Sequence, residues 1–533
     1  FQGCAATAFQ GRPAAALQGR EAAARHGREA TAPHIPLQSP APLTDFRFVP
    51  EYDLVCIGSG PAGEAAATTA AALGRRVAVV ERQGRPGGNM VNTGTVASKV
   101  LRETALLLSA FRRRPIPGID SSPDRSLSVA RFMARRHLAQ IEEHDRIEQA
   151  FDRLGVDVVR GLARIASPHS IVVEPPTGET AGTRVIETGA ILIATGSRPL
   201  RPASVHFDDV TVLDADSVLE LDRIPRSMIV VGGGVIATEY ACIFAEIGVQ
   251  VTLLETRDCI LPFLDAECRA LLERAMRLAG ITIRCNAPVQ SVTPRAVGSQ
   301  ADAATTGTAR EAEVVLADGE RVVAETVLWA LGRTGNTDHI GLESVGITPD
   351  ARGLLQVDES YRTTVPSILA AGDVIGFPAL ASTSIEQGRI AARRLFGATD
   401  DERLARTVPL GIYTIPAVAS VGMTEQEAMR AGRPVVIGRA AYRGNVRGRM
   451  LGDDTGLAKL IFDATAGDLL GAWIVGEDAT ELIHLAQMAI VEQLGIEYFV
   501  SACMNYPSLT ALYKSAAEDA RRQMRALTGT RAA

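Results

Sequence analysis

One stretch constrains the fold of this chain more than any other: residues 52–81, with the sequence YDLVCIGSGPAGEAAATTAAALGRRVAVVE. Its pattern predicts a short apolar strand, a glycine turn, an amphipathic helix and a second strand that ends at Glu81. Gly58 permits a tight turn, Gly60 lets the backbone approach a pyrophosphate, and Gly63 lets the helix pack closely on the strand. Because helix N-termini attract anions and Glu81 is placed to bond a ribose, the stretch predicts a dinucleotide site.

A second stretch, SMIVVGGGVIATEYACIFAEIGVQVTLLE at residues 227–255, repeats this pattern. Gly232, Gly234 and Ala237 have the spacing of the first glycine turn, and an acid, Glu255, again ends the second strand. Two units with the same internal spacing are unlikely to arise by chance. They predict an α/β chain with two doubly wound, Rossmann-like nucleotide-binding domains.

Length and composition limit the possible functions. The 533 residues allow about three domains, and a net charge of -6 provides no basic surface for nucleic acid. No run approaches the roughly 18 apolar residues of a membrane span, so we expect a soluble, cytoplasmic protein. Seven cysteines without a CxxC pair indicate a reducing compartment and argue against a disulfide framework or a metal site.

Two segments have low-complexity sequence. Residues 1–50 repeat loosely in Gly- and Ala-rich blocks before a proline-rich connector, and they predict a disordered tail or a mis-assigned start. Their Arg-rich, acid-poor composition is also that of a transit-like presequence, although a clear amphipathic pattern is missing. A Gly-, Ala- and Thr-rich insertion at residues 294–312 predicts a mobile surface loop.

The frame GGNMVNTGTVASK at residues 87–99 opens a predicted long helix and resembles the redox-loop motif of the flavin-dependent pyridine nucleotide-disulfide oxidoreductases. In that family two cysteines of the motif lie against one face of the flavin ring. Here their positions are Met90 and Thr95, and the usual proline before the Ser-Lys pair is Ala97, so no dithiol can form. Lys99 falls on the family's lysine beside the flavin.

Later segments continue the resemblance on the flavin side. The sequence ETGAILIATGSRP resembles the family's crossover between domains, with Thr195 and Gly196 near both nucleotides. Gly372 and Asp373 match a pair whose aspartate bonds the flavin ribityl chain. The resemblance thus implies that the chain returns to the first domain after the second unit.

The resemblance assigns FAD to the first unit and NAD(P) to the second. Glu239 matches the family's glutamate near the nicotinamide, from where it can pair with Lys99. Glu255 favours the free 2′-hydroxyl of NAD, whereas Arg257 can meet the 2′-phosphate of NADP.

Residues 408–525 resemble the family's interface domain, which implies an α+β dimerisation domain and a homodimer or higher homo-oligomer. In the disulfide reductases this domain supplies a histidine and a glutamate that protonate the thiolate across the dimer. Tyr506 and Ala511 occupy these positions here. His484 lies upstream in an apolar helical run, which predicts a buried core histidine.

The implied organisation is an N-terminal tail (1–50), an FAD-binding domain (51–200), an NAD(P)-binding domain (201–330), a return to the FAD-binding domain (331–407), an interface domain (408–525) and a short tail (526–533). The residues expected to bind FAD are Gly58, Ser59, Gly60, Pro61, Ala62, Gly63, Glu81, Arg82, Gly88, Asn89, Lys99, Ala163, Thr195, Gly196, Gly372 and Asp373. Those expected to bind NAD(P) are Gly232, Gly234, Val235, Ala237, Glu239, Glu255, Arg257 and Gly332. Lys99 and Glu239 are the expected catalytic residues.

The residues for thiol chemistry are missing together, while both nucleotide units remain. Disulfide reduction needs a thiolate and an acid–base partner, so the chain is expected instead to transfer hydride between NADPH and NAD⁺ with FAD. The segments GRTGNT, GIYTIP and NYP are similar to those of the soluble pyridine nucleotide transhydrogenases within the family. Two alternatives remain open: an NAD(P)H diaphorase or oxidase that reduces quinone or oxygen, and a non-catalytic, flavin-bound dimeric relic. The expected partners are nicotinamide dinucleotides, without nucleic acid or membrane.

Overall fold

The computed structural model of the chain describes residues 50–114, 118, 127–176, 182–297, 309–398, 403–405 and 407–531. The tail predicted at residues 1–50 lies outside the described residues, except for Pro50.

The first part of the chain holds the first glycine unit. Its strands are β1 (Leu54–Ile57), β2 (Val77–Glu81), β3 (Asp157–Arg160), β4 (Leu162–Ser167), β5 (Ser170–Glu174), β6 (Arg184–Glu187), β7 (Ile191–Ile193) and β8 (Ser197–Pro199). Its helices are α1 (Pro61–Ala72), α2 (Gly88–Asn92), α3 (Thr95–Leu108), α4 (Ala110–Arg113) and α5 (Val129–Leu154). Strands β1, β2 and β7 are buried along their whole length, as the continuous apolar runs of inner parallel strands predict.

The single long helix predicted to open in the redox-loop frame is divided into α2 and α3. The chain leaves helical geometry at Gly94, whose φ and ψ are -122° and -113°. A side chain there would meet Asn89 O at 2.8 Å, so the close return of the backbone requires glycine. The break directs the N-terminus of α3, with Thr95 and Lys99, into the region of the first glycine turn.

The second part repeats the arrangement. Its strands are β9 (Val212–Asp214), β10 (Ser227–Val231), β11 (Gln250–Leu254), β12 (Thr282–Arg284), β13 (Val289–Val297), β14 (Ala309–Leu316), β15 (Arg321–Ala324) and β16 (Thr326–Trp329), with helices α6 (Val235–Glu246) and α7 (Ala266–Leu278). A parallel sheet has the order β12–β11–β10–β16–β9, and β13–β14–β15 form an antiparallel sheet beside it.

The prediction of a mobile loop at residues 294–312 is wrong at both ends of that range. Pro294 pairs with Ala312 in the β13–β14 ladder, which continues to Val297 and Ala309. The alternating residues of this hairpin bury a small core, which low-complexity composition did not reveal. Residues 298–308 lie outside the described part of the chain.

The chain then returns to the first sheet through β17 (Arg333–Gly335), β18 (Ile368–Ala370) and α8 (Ala381–Leu395). Strand β17 pairs with β8, and β18 joins the parallel sheet β18–β7–β1–β2–β3. Helix α8 packs on α1 so closely that a side chain at Gly388 would meet Ala62 O at 2.1 Å. The glycine turn before α1 is therefore held in place from two sides, by β1 and by α8.

The C-terminal part contains β19 (Leu410–Ile412), β20 (Val418–Gly422), β21 (Val435–Ala441), β22 (Leu457–Asp463) and β23 (Leu469–Val475), with α9 (Glu425–Arg430), α10 (Val446–Leu451), α11 (Ala479–Val491), α12 (Ile496–Ser501) and α13 (Ala511–Arg531). Its antiparallel sheet, β19–β20–β23–β22–β21, packs against α11 and α13. Helix α13 continues to Arg531, so most of the predicted tail 526–533 is helical.

The predicted fold class is confirmed: two Rossmann-like parallel sheets are followed by an α+β domain. Across the described ranges, no helix is long and apolar enough to cross a membrane.

Candidate active site

A cavity of about 990 Å³ opens at the carboxyl ends of β1, β2, β7 and β18, the edge at which parallel α/β sheets bind ligands. Its lining includes all but one of the residues expected to bind FAD: Gly58, Ser59, Gly60, Pro61, Ala62, Glu81, Arg82, Gly88, Asn89, Lys99, Ala163, Thr195, Gly196, Gly372 and Asp373. The exception is Gly63, where a side chain would meet Gly58 O at 2.0 Å. Gly63 therefore serves helix–strand packing.

The first glycine turn leaves room for a bound group. Gly58 has φ +100°, and a side chain there would meet Ala194 O at 2.5 Å. Gly60 lies at the N-terminus of α1. A side-chain carbon there would come no closer than 3.8 Å to its nearest neighbour, Gly88 Cα. That N-terminus has no side-chain cap, so its free N–H groups are available to an anion such as pyrophosphate.

Glu81 is oriented by its neighbours at the end of β2. Its Oε2 accepts hydrogen bonds from Ser59 N at 3.0 Å and Ser59 Oγ at 2.5 Å, and its Oε1 accepts from Gln83 N at 2.8 Å. These bonds hold a buried carboxylate at the rim of the cavity, where the sequence places a ribose.

Asp373, the residue expected at the ribityl chain, belongs to a connected network with Ser197 and Arg333, which were not predicted. Ser197 Oγ donates to Asp373 Oδ2 at 2.7 Å, and Arg333 Nε donates to Ser197 Oγ at 2.8 Å. Thr195 Oγ1 is buried without a hydrogen-bond partner among the described residues. Since a buried hydroxyl without a partner is costly, Thr195 and the uncapped α1 terminus both fit a polar cofactor in this cavity.

The two nucleotide units meet at an ion pair. Lys99 Nζ on α3 donates to Glu239 Oε2 on α6 at 2.8 Å, as their family positions predict. Glu239 is 5% exposed, and its Oε1 accepts from Tyr413 N at 2.8 Å. The pair lies in the cavity lining, so a fixed positive charge faces the space that a flavin and a nicotinamide would share.

Of the other residues expected to bind NAD(P), only Val235 also lines this cavity. Gly232, with φ +121°, and Gly234 form the turn before α6, and Ala237 is buried in that helix. A side chain at Gly332 would touch only Leu200.

Glu255 and Arg257 form a tight pair at the end of β11. Glu255 accepts from Arg257 N and Nε at 2.8 Å and from Arg257 Nη2 at 2.9 Å. The Glu255 side chain is 2% exposed, whereas that of Arg257 is 49% exposed. Burial alone would raise the pKa of Glu255, but the hydrogen bonds from Arg257 lower it overall, so the site holds a carboxylate neutralised by a half-exposed cation.

The redox loop carries no thiol. Met90 and Thr95 line the cavity at the two cysteine positions, and none of the described cysteines lies in its wall. Burial raises the pKa of Cys56 and of Cys242 to about 12, which makes these two thiols unreactive.

Several cavity residues were missed from the sequence. Tyr413 and Thr480 of the C-terminal part line the cavity and were not singled out. The prediction of a buried His484 is wrong: the side chain is exposed, its Nδ1 lies 3.0 Å from Gln487 Oε1, and it lines the same cavity. Tyr240 follows Glu239 on α6, and its buried hydroxyl has no partner within the described part of the chain. The GIYTIP segment was the one available signal for Tyr413; no local pattern indicates the others.

Two dinucleotide units joined by the Lys99–Glu239 ion pair are the arrangement of a dinucleotide-dependent oxidoreductase. Residues 52–388 match the pyridine nucleotide-disulphide oxidoreductase family, and residues 408–517 match the dimerisation domain of that family. The chain belongs to the pyridine nucleotide-disulphide oxidoreductase family.

Among curated relatives, soluble pyridine nucleotide transhydrogenases of Mycobacterium tuberculosis and Pseudomonas putida are 41% and 38% identical. The alignments cover 90% and 88% of this chain, and 98% of each relative. Among solved structures, LpdA from Mycobacterium tuberculosis matches with a TM-score of 0.78 and 29% identity, over 88% of this chain and 99% of that one. The flavoprotein disulfide reductase RclA from Escherichia coli matches with a TM-score of 0.76 and 25% identity, over the same shares.

Proposed function

We propose that the chain transfers hydride between NADPH and NAD⁺ with FAD bound in the cavity, and that it does so without a redox disulfide. The observation that carries this proposal is the Lys99–Glu239 ion pair, which joins the two units in a cavity whose described lining contains no cysteine. Disulfide reduction requires a thiolate nucleophile, and the redox loop presents Met90 and Thr95 instead.

The residues around the cavity suit FAD. The uncapped N-terminus of α1 provides N–H groups for the pyrophosphate, and Glu81 provides acceptors for the adenosine ribose. Asp373 and the unpartnered Thr195 hydroxyl are the proposed contacts of the ribityl chain and its surroundings.

Bound FAD supplies the chemistry of hydride acceptance and donation. Lys99, in the cavity lining, would present a preorganised positive charge to the flavin ring and would favour its reduction. Glu239 fixes the Lys99 ammonium, and the Tyr413 N–H fixes the second carboxylate oxygen. Because no thiolate has to be protonated, the replacement of the family's histidine by Tyr506 is compatible with this reaction.

The second unit is proposed to bind both nicotinamide nucleotides. Gly234 leaves the N-terminus of α6 open for their pyrophosphate, since a side chain there would meet nothing within 4 Å. Buried Glu255 suits the 2′-hydroxyl of NAD, and half-exposed Arg257 suits the 2′-phosphate of NADP. The relatives named soluble pyridine nucleotide transhydrogenases support this reading, since they align over nearly their whole length.

We further propose a homodimer formed through the C-terminal domain. The match to the family's dimerisation domain supports it. So does a group of exposed large apolar side chains on α11 and α12: Leu485, Met488, Val491 and Tyr498. Analytical ultracentrifugation tests this proposal, with Met488→Glu expected to yield monomers.

The test of the reaction is anaerobic reduction of thionicotinamide-NAD⁺ by NADPH, with the purified FAD-loaded enzyme. We expect turnover, and we expect Lys99→Met to retain FAD but lose most of that turnover. Oxidation of NADH by quinone or oxygen without transfer between nucleotides would instead identify a diaphorase or an oxidase. Bound FAD that no nucleotide reduces would identify a non-catalytic relic.

A further inference from the structure

A short segment of the C-terminal domain, residues 413–415, is hydrogen-bonded to helices of both nucleotide-binding parts. Tyr413 N–H donates to Glu239 Oε1 on α6 at 2.8 Å. Arg102 Nε on α3 donates to Thr414 O at 3.1 Å. The segment is thus tied to one helix of each nucleotide-binding part, beside the ion pair that joins them.

The Lys99 ammonium is held by three groups. Glu239 Oε2 lies at 2.8 Å, Ser98 Oγ at 3.3 Å, and the centroid of the Tyr413 ring at 4.9 Å. An ammonium within about 6 Å of an aromatic face is attracted to the negative charge of that face. The ring therefore limits where Lys99 can move, and the backbone of the same residue limits where Glu239 can move.

We propose that Tyr413 is a positioning residue of the hydride-transfer site, and that it acts through its ring face on Lys99 and through its N–H on Glu239. The inference rests on the proposed function, because it takes Lys99 to be the charge that faces the flavin. The ring face carries the side-chain part of this role, since the observed contacts of Tyr413 use its ring and its N–H. The N–H survives any substitution except proline, so side-chain variants isolate the ring.

Loss of the ring leaves a half-buried Lys99 with one fewer constraint and more rotamers. We expect Tyr413→Leu to slow flavin reduction by NADH about 3- to 30-fold, the factor that corresponds to a cation–π contact. The affinity for NADH should change less than about twofold, because Lys99 is proposed to act on the flavin ring and not on the bound NADH. A positive charge held less closely to the flavin also favours its reduction less, so the midpoint potential of the flavin should become more negative.

The experiment uses FAD-loaded enzyme in anaerobic stopped flow, which gives the rate constant of flavin reduction and the dissociation constant of NADH separately. The flavin midpoint potential is measured without any nucleotide. Tyr413→Phe keeps the ring and should recover most of the rate and potential lost in Tyr413→Leu. Phe396→Leu is the matched control, because it also removes a cation–π contact: the Arg75 guanidinium carbon lies 4.8 Å from the centroid of the Phe396 ring. This contact lies just beyond the C-terminal end of α1, away from the glycine turn.

Phenylalanines carrying one to four ring fluorines at position 413 keep the shape of the ring while they weaken its negative face. They serve as the second series if Tyr413→Leu does not fold. A rate that falls stepwise with fluorination supports the proposal. An unchanged rate and potential in Tyr413→Leu, a phenylalanine variant as impaired as the leucine variant, or indifference to fluorination would overturn it.

Failure of the proposed function gives a different result. The parent enzyme would then not reduce thionicotinamide-NAD⁺ with NADPH, whereas the nucleotide-free potential would still shift in Tyr413→Leu if the positioning role holds.

Discussion

At the scale of single residues, Gly60 and Gly234 occupy the same place in the two nucleotide units. Both precede a helix, with φ of -65° and -84°, which any residue can adopt. A side chain at Gly60 would come no nearer than 3.8 Å to the next atom, and one at Gly234 would meet nothing within 4 Å. A Cβ at either position is therefore compatible with the fold, and a valine there would occupy the space proposed for a pyrophosphate.

We expect Gly60→Val to fold and to lose most of its FAD, whereas Gly234→Val should keep FAD and lose nicotinamide nucleotide binding. The flavin absorbance per chain and equilibrium titration with NADH measure the two effects. Gly84→Val is the control, because a side chain at this loop glycine also meets nothing within 4 Å. Stoichiometric FAD in folded Gly60→Val would place the cofactor elsewhere.

Arg257 and Glu255 are expected to determine how tightly the second unit binds NADPH and NADH, respectively. Because Glu255 is buried and Arg257 is half exposed, Arg257 is the partner that can move toward a 2′-phosphate. The Arg257→Ala variant should bind NADPH about 10- to 100-fold more weakly, because it loses a charge-assisted contact of roughly 1.5–3 kcal/mol. Glu255→Gln should weaken NADH and spare NADPH.

Dissociation constants for both nucleotides in both variants test this prediction. Arg284→Ala is a suitable control, because this arginine ends the neighbouring strand β12 and pairs with Glu320 instead. Unchanged NADPH binding in Arg257→Ala would show that the phosphate is bound by other residues.

At the scale of elements, the break between α2 and α3 brings Met90 and Thr95 into the cavity, where the family has its dithiol. The described cysteines lie outside that cavity, and Cys503 is the exposed one among them. We expect arsenite or iodoacetamide to leave hydride transfer within about twofold of the untreated rate, because none of the described cysteines lines the cavity that either reagent would have to block.

Among the cysteines that the structure describes, mass spectrometry of the alkylated protein should find Cys503 modified first and buried Cys56 and Cys242 protected. Cys503→Ser is the control, since it removes the exposed thiol without approaching the cavity. Inactivation of a still-folded enzyme would make one of its cysteines catalytic.

The structure also shows which parts of the site are predictable from sequence. The glycine turns and the acids that end β2 and β11 could be located because each depends on a few neighbouring residues. Tyr413 could not, since its bond to Glu239 joins residues separated by 174 positions. His484 was misplaced for a related reason: an apolar helical run predicts a buried face but not which residue of the helix turns away from it.

At the scale of the whole molecule, a buried ion cluster connects the second nucleotide-binding part to the C-terminal domain. Lys459 Nζ on β22 lies 2.9 Å from Asp265 Oδ1, 3.0 Å from Glu267 Oε2 and 2.5 Å from Glu425 Oε2. The Lys459 side chain is 1% exposed, and Asp265 also caps α7. Burial lowers the pKa of Lys459, but its carboxylate partners raise it overall, so the residue stays charged. The cluster fixes the domain that carries Glu255 against the one that carries Tyr413.

Lys459→Met should lower the free energy of unfolding by about 3–5 kcal/mol, because it leaves the buried Asp265 carboxylate without a counter-charge and leaves Glu267 and Glu425 with Arg439 alone. The loss of stability in the variant should depend on pH and become smaller in acid. Burial raises the pKa of Glu267, but Arg439 and Lys459 lower it overall, so its contribution is present above the unfolded value near 4.3 and disappears as pH falls through the lower folded value. The raised pKa of Lys459 makes its contribution persist until pH rises beyond the usual value near 10.4. The stability difference between parent and variant should therefore be constant from about pH 5 to 10 and shrink below about pH 4.

Denaturant unfolding of the FAD-loaded proteins at several pH values measures this stability difference. The control is Arg522→Ala, which removes an exposed ion pair with Asp519 and should cost less than about 0.5 kcal/mol. A difference that is small at neutral pH, or that does not shrink in acid, would mean that the cluster does not hold the domains together.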